Sequence, residues 1–239
     1  MSEESSRAPG KFTYEVRDGV AVLRMDDGKV NALDREMLSG LRDALRRASG
    51  EAGAVLLAGR PGRFSAGFDL RSLGSGVEEA KELVTLGAEG LLDLWLHPRP
   101  VVVACTGHAL ALGALFLLAA DVRVGADGAY RIGLNEVAIG LALPLFGVEL
   151  ARDRLSRRHF VRAALLAEVY DPRTAVDAGF LDRLVPEDGV VEEAFGEAKR
   201  LAGLPSQAFA ETKRRFRGKT AEVLRRTLAE DLSSFRPPS

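Results

Sequence analysis

VVVACTGHALALGALFLLAADVRV, residues Val101 to Val124, is the stretch whose reading decides the fold. From Val101 to Ala120 it carries no ionised side chain unless His108 is protonated. Its length raises the question of a membrane span, which needs about 20 mostly apolar residues. Its internal order answers differently. Val101–Cys105 is a β-branched run that follows Pro98 and Pro100 and suits a buried strand. Thr106, Gly107 and His108 mark a bend and sit poorly at a bilayer centre. From about Leu112, a run of Ala, Leu and Phe favours a helix ending near Asp121. Strand, tight turn and buried helix account for the stretch without lipid. They also aim the unpaired N–H groups of a helix start at whatever lies over the turn.

Composition sets the outer bounds. The 239 residues are 46% apolar and 28% charged, which is ordinary for a globular protein with a sizeable core. A net charge of -1 gives no electrostatic case for nucleic acid or an anionic membrane. Cys105 is the only cysteine, so an intrachain disulfide and a cysteine-ligated metal cluster are excluded. MSEESSRAPG at the N-terminus has no apolar signal segment, and a cytoplasmic protein is expected.

Outward from the opening stretch the pattern is α/β. Residues 1–10 are expected to be a loose tail. Phe12, Tyr14, Val16, Val20 and Val22 alternate with polar residues around Asp18-Gly19, which predicts two strands joined by a tight turn. Asp26–Leu33 reads as a loop, and Asp34 as the cap of a helix whose apolar positions run from Met37 to Ala48. Ala54–Ala58 reads as a buried strand, residues 59–63 as a loop, and Val77–Leu96 as a long helix ended by Pro98. Asp121–Val124 and Ala129–Ile132 are short strands. Beyond Pro144 the spacing predicts helices over 145–155, 157–167, 173–178, 190–201, 206–216 and 220–232, with a short strand near 180–185 and a disordered tail at 236–239.

Two turns share one design, an apolar strand, a bend of small residues, then a helix. They are Ser65-Ala66-Gly67 and Gly107–Gly113. Facing each other, they would suit a carbonyl oxygen that becomes negative during reaction. On spacing alone, tight strand–helix joins explain the same residues.

With these residues quoted, the sequence resembles the crotonase (enoyl-CoA hydratase/isomerase) superfamily. Phe64–Leu70 is similar to its first oxyanion-hole segment, and Gly107–Gly113 followed by Asp121–Val124 to its second glycine-rich segment. Lys29–Leu33 resembles its Asn-Ala-Leu segment, Gly133–Gly140 the segment with a catalytic glutamate, and Ala175–Pro186 its late signature; the matches are collinear over roughly residues 11–215. The resemblance implies a ββα spiral core over residues 11–187 and a helical C-terminal trimerisation region, shortened here, over 188–239. It implies an acyl-CoA thioester substrate, no separate cofactor and no metal, and a homotrimer or dimer of trimers.

In the site that the resemblance implies, the N–H groups of Ala66 and Leu112 hold the thioester oxygen and favour an enolate over the ground state. Ala32, Phe68, Asp69, Leu70, Gly113 and Leu115 border the substrate, and Lys29 and Lys213 meet the anionic parts of CoA; solvated surface charge explains both lysines equally well. Asp69 also reads as a helix cap, Cys105 as core, and Asp121 with Arg123 as a structural ion pair.

Two departures from the family pattern bear on chemistry. Its glycine triplet reads Ala111-Leu112-Gly113, so a leucine side chain must be housed. Where hydratases carry their first catalytic glutamate, this chain has Leu115, and the second family glutamate is Glu136. A double-bond shift needs one base, whereas hydration shares water activation and carbon protonation between two. Isomerisation by Glu136 is therefore the favoured expectation. The alternatives are a hydratase in which His108 or Glu149 replaces the missing carboxylate, and a paralogue that binds acyl-CoA without converting it.

Overall fold

The computed structural model describes residues 11–234; the expected tails at 1–10 and 236–239 lie outside the described residues. Strands β1 (Phe12–Arg17) and β2 (Val20–Met25) form an antiparallel hairpin closed by Asp18 and Gly19. Both turn residues have positive φ, 48° and 77°, the geometry that matches the twist of the flanking strands. The segment to Leu33 is not wholly loop, since it ends in β3 (Ala32–Leu33). Helix α1 (Arg35–Glu51) follows, with Asp34 accepting from the Met37 N–H as its cap. Then come β4 (Ala54–Ala58), β5 (Gly62–Ser65), β6 (Gly67–Phe68), the short α2 (Leu70–Leu73) and the long α3 (Val77–Trp95).

The opening stretch folds as β7 (Val101–Cys105), β8 (Gly107–Leu110), α4 (Leu112–Ala119) and the start of β9 (Val122–Asp127). Every residue of α4 is buried, which explains a composition that looked fit for lipid. No helix among the described residues is long and apolar enough to cross a membrane. The chain continues through β10 (Ile132–Gly133), a 3-10 turn at Val137–Ile139, α5 (Leu145–Arg154), α6 (Arg157–Ala164), α7 (Pro172–Ala178), β11 (Arg183–Pro186), α8 (Val190–Ala202) and α9 (Ser206–Ser234).

The main sheet has the order β1-β2-β4-β7-β9-β11 and is parallel beyond the first hairpin. The expected bend at Thr106–His108 and the expected loop at 59–63 instead contribute β8 and β5 to a second sheet of order β10-β8-β5. The reason is local. Gly107 lets the chain turn a corner against Gly62, whose carbonyl carbon lies 2.1 Å from where a Cβ would stand. β3 and β6 make a small third pair.

The two helices expected at 206–216 and 220–232 are one helix, α9, because its middle is anchored on both sides. The Trp95 Nε1–H donates to the Arg217 carbonyl at 3.2 Å, and the Arg217 guanidinium donates to the carbonyls of Trp95, Ala119 and Ala120 at 3.0–3.1 Å. Cations suit the open carbonyls at the end of α4. The expected Asp121–Arg123 pair does not form. Asp121 binds Lys213 at 2.7 Å and Arg217 at 2.9 Å, while Arg123 pairs with Asp182.

Asn31 ties the layers together near the small β3/β6 pair. Its Nδ2 donates to the carbonyls of Met25, Arg63 and Phe64 at 2.9–3.2 Å, and its Oδ1 accepts from the Asp27 N–H at 3.0 Å. The residue is fully buried, so removing the side chain leaves polar groups unpaired. Asn31→Ala is expected to lower unfolding stability by about 3 kcal/mol in urea titrations, beyond the reach of ordinary surface substitutions.

Candidate active site

Two glycines bring the small-residue turns face to face. Gly67 has φ +89°, and a Cβ there would lie 2.8 Å from the Ala111 Cβ and 3.3 Å from the Leu112 nitrogen. Across the same seam, a Cβ on Gly113 would lie 2.7 Å from both the Cβ and the carbonyl oxygen of Ser65. Ala111, at the start of α4, takes φ 49° and ψ -125°, a backbone conformation costly for a residue with a Cβ. The Leu112 side chain is housed behind the turn. It occupies, with the Phe68 ring, the space opened by Gly87 of α3, where a Cβ would lie 2.9 Å from Leu112 Cδ2 and 2.5 Å from Phe68 Cζ.

The backbone donors differ from the expected pair in one member. The Leu112 N–H opens α4 and has no intrahelical acceptor, as expected. The Ala66 N–H is already committed, donating to the Val30 carbonyl at 3.1 Å. The Asp69 N–H donates to the Leu33 carbonyl at 3.2 Å. Strand alternation turns the neighbouring Phe68 N–H away from β3, and this amide replaces that of Ala66 as the candidate partner for Leu112.

A cavity of about 140 Å³ opens beside these amides. Its walls include Ala66, Phe68, Leu70, Leu112, Leu115 and Phe146, with Asn135 and Glu136 at one side. Glu136 sits where β10 gives way to the 3-10 turn. Before it, Gly133 of β10 lets the Glu168–Val169 backbone come close, since a Cβ there would lie 2.9 Å from the Glu168 carbonyl oxygen. Glu136 is 8% exposed, and its Oε2 is buried with no hydrogen-bond partner. Burial away from water penalises the ionised form and pushes the carboxyl up to about 7. Leu115, also in the lining, is 2% exposed, its Cδ1 packed against Gly147 of α5. Glu136 is the one carboxylic acid among the lining residues.

The other expected residues divide. Phe68, Leu70 and Leu115 line the cavity; Gly113 lies behind it on Ser65, Ala32 lies in β3, and Asp69 caps α2 by accepting from the Ser72 N–H. His108 is not in the lining. Its Nδ1 accepts from the Arg131 N–H at 3.0 Å, its ring meets Tyr130 edge-on, and burial with the nearby Arg63 and Arg131 lowers its pKa. Glu149 is also outside the lining and faces Arg152 at 3.4 Å. Lys213 is a correction too: it is 6% exposed and its ammonium is held by Asp121 at 2.7 Å, so its charge is spent inside the fold. Lys29 is exposed on its loop.

Sequence reading missed Asn135, Ile139, Leu141, Pro144 and Phe146. Asn135 adjoins Glu136 and has a buried Oδ1 without a partner, so its place in the glycine-flanked segment was the available signal. The rest arrive by tertiary packing of the turn and α5, which no local pattern marks.

This geometry accompanies similarity along nearly the whole chain. A family model described as enoyl-CoA hydratase/isomerase matches residues 15–238. The chain is 30% identical to enoyl-CoA delta isomerase 1, mitochondrial, of Rattus norvegicus, over 91% of this chain and 77% of that protein. It is 34% identical to a probable enoyl-CoA hydratase of Rhodobacter capsulatus, over 90% of this chain and 84% of that one. The solved apo structure of a Mycobacterium tuberculosis enoyl-CoA isomerase superposes with a TM-score of 0.90 at 39% identity, covering 94% of this chain and 99% of that one. The chain belongs to the enoyl-CoA hydratase/isomerase family and has the crotonase fold.

The buried carboxyl makes a stability prediction. Its folded-state pKa, about 7, lies above the 4.5 of an unperturbed glutamate, so its contribution is most favourable below about 4.5 and is lost as pH rises through about 7. Glu136→Gln, which cannot ionise, should therefore gain stability relative to the parent as pH rises from about 5, the gain reaching on the order of 3 kcal/mol above about pH 7 in chemical denaturation.

Proposed function

We propose that the protein is an isomerase of unsaturated acyl-CoA thioesters and that Glu136 is its single proton carrier. The observation that carries this reading is one buried carboxyl, its Oε2 without a hydrogen-bond partner, lining a cavity where the residue at the family's other acid/base position is the buried Leu115. The ionised Glu136 takes a proton from the α-carbon of a β,γ-unsaturated acyl group. The C–H electron pair shifts through the system to the thioester oxygen, giving a dienolate. The N–H groups of Phe68 and Leu112 hold that oxygen, and they favour the dienolate because it carries charge that the thioester lacks. The carboxylic acid then returns the proton at the γ-carbon, the electrons withdraw from the oxygen, and an α,β-unsaturated thioester results. Atoms balance with no water consumed.

Lys29, exposed on the loop that Asn31 anchors, is the proposed contact for anionic parts of CoA. Self-association as a trimer or dimer of trimers is proposed from the family resemblance alone.

Incubation with β,γ- and α,β-enoyl-CoA separately should interconvert the two, with no 3-hydroxyacyl product from either. Abundant hydroxyacyl product would instead show hydration. The base must be ionised, so kcat/KM should rise with pH through a midpoint near 7. Glu136→Gln should cut turnover at least about 100-fold while acyl-CoA binding persists; full activity in that variant would sink the proposal.

A further inference from the structure

One wall of the cavity is set by a residue far from it in sequence. Helix α5 begins at Leu145, directly after Pro144, which has no side-chain acceptor to cap the helix. Its first N–H groups need partners from elsewhere. Asp231, in the last turn of α9, supplies them: Oδ1 accepts from the Leu145 N–H at 2.6 Å and Oδ2 from the Phe146 N–H at 3.2 Å. The carboxylate is 9% exposed, and its negative charge suits a helix N-terminus. Leu228 and Leu232, one helical turn apart on α9, pack against the same core.

The residues so held belong to the cavity. Pro144 and Phe146 line it, and the same first turn of α5 carries Gly147, against which Leu115 packs. A two-point bond at the start of α5 fixes both the axial position and the rotation of its first turn, and therefore the distance between the Phe146 ring and the wall formed by Leu115. An uncapped first turn would fray and widen that gap.

We propose that Asp231 is a positioning residue for acyl-group recognition, a remote cap through which the end of α9 sets the shape of the acyl cavity. This rests on the reading of the cavity as an acyl-CoA site but not on the reaction performed there. The test is binding, by calorimetry, of CoA, hexanoyl-CoA and decanoyl-CoA to the full chain and to its Asp231→Ala and Asp231→Asn variants. In Asp231→Ala, affinity for both acyl-CoAs is expected to fall roughly tenfold while affinity for CoA alone stays unchanged. Asp231→Asn keeps one accepting oxygen and should recover a large part of the loss. If Asp231→Ala does not fold, Asp231→Asn alone should show a smaller loss confined to the acyl-CoAs. Equal changes for CoA and acyl-CoAs, or unchanged affinities with only a lowered Tm, would overturn the proposal and leave a purely structural cap. A parent chain that binds CoA no less tightly than acyl-CoA would overturn the acyl-site reading itself, and this proposal with it.

Discussion

The seam between Gly67 and the Ala111–Leu112 backbone is the contact on which the site depends. At 2.8 Å from the Ala111 Cβ, no side chain can be inserted at residue 67, and its φ of +89° disfavours one in any case. Ser65 seated on Gly113 closes the same seam from the other side. The turns that leave the neighbouring strands β5 and β8 are thereby pressed together, with the α4 start presenting its open Leu112 amide beside β6. The strained backbone of Ala111 is held by its N–H donating to the Gly133 carbonyl at 3.0 Å, with Gly67 leaving room for its Cβ.

Burial acts on the charged residues in two opposite ways. Lys213, Arg217 and Asp121 are taken out of water together, and their ion pairs and carbonyl contacts lock α9 across the end of α4. Arg123 and Asp182 repeat the arrangement nearby. Glu136 is taken out of water without a counter-charge, which pushes its carboxyl up to about 7. A carboxyl in that state can both accept and return a proton at ordinary pH, which a salt-bridged one cannot. A counter-charge accompanies the Asp121 and Arg123 clusters, and none accompanies Glu136, the proposed proton carrier.

Much of this was legible in sequence because the residues concerned are locally constrained. The Asp18-Gly19 hairpin, the Asp34 and Asp69 caps and the strand–turn–helix of Val101–Ala119 each follow from backbone rules. Glu136 and Leu115 were placed on the site by resemblance, and the folded cavity includes both. What sequence did not reveal depends on distant partners. The Ala66 amide is taken by a carbonyl from a preceding loop, Lys213 is claimed by Asp121, and α9 stays unbroken through Gly218 because Arg217 is anchored from outside the helix. Gly107 and Gly62 convert apparent loops into a second sheet through a close contact that neither residue signals alone.

The central claim is that one shielded carboxyl carries the proton from donor to acceptor carbon. The direct measurement is a single turnover of β,γ-enoyl-CoA deuterated at the α-carbon, run in ordinary water, with the α,β-unsaturated product examined for label at the γ-carbon. Because Glu136 is buried and its Oε2 has no other partner, a measurable share of the label should reach the γ-carbon before it exchanges with solvent. Product free of γ-label and accompanied by hydroxyacyl-CoA would contradict the account.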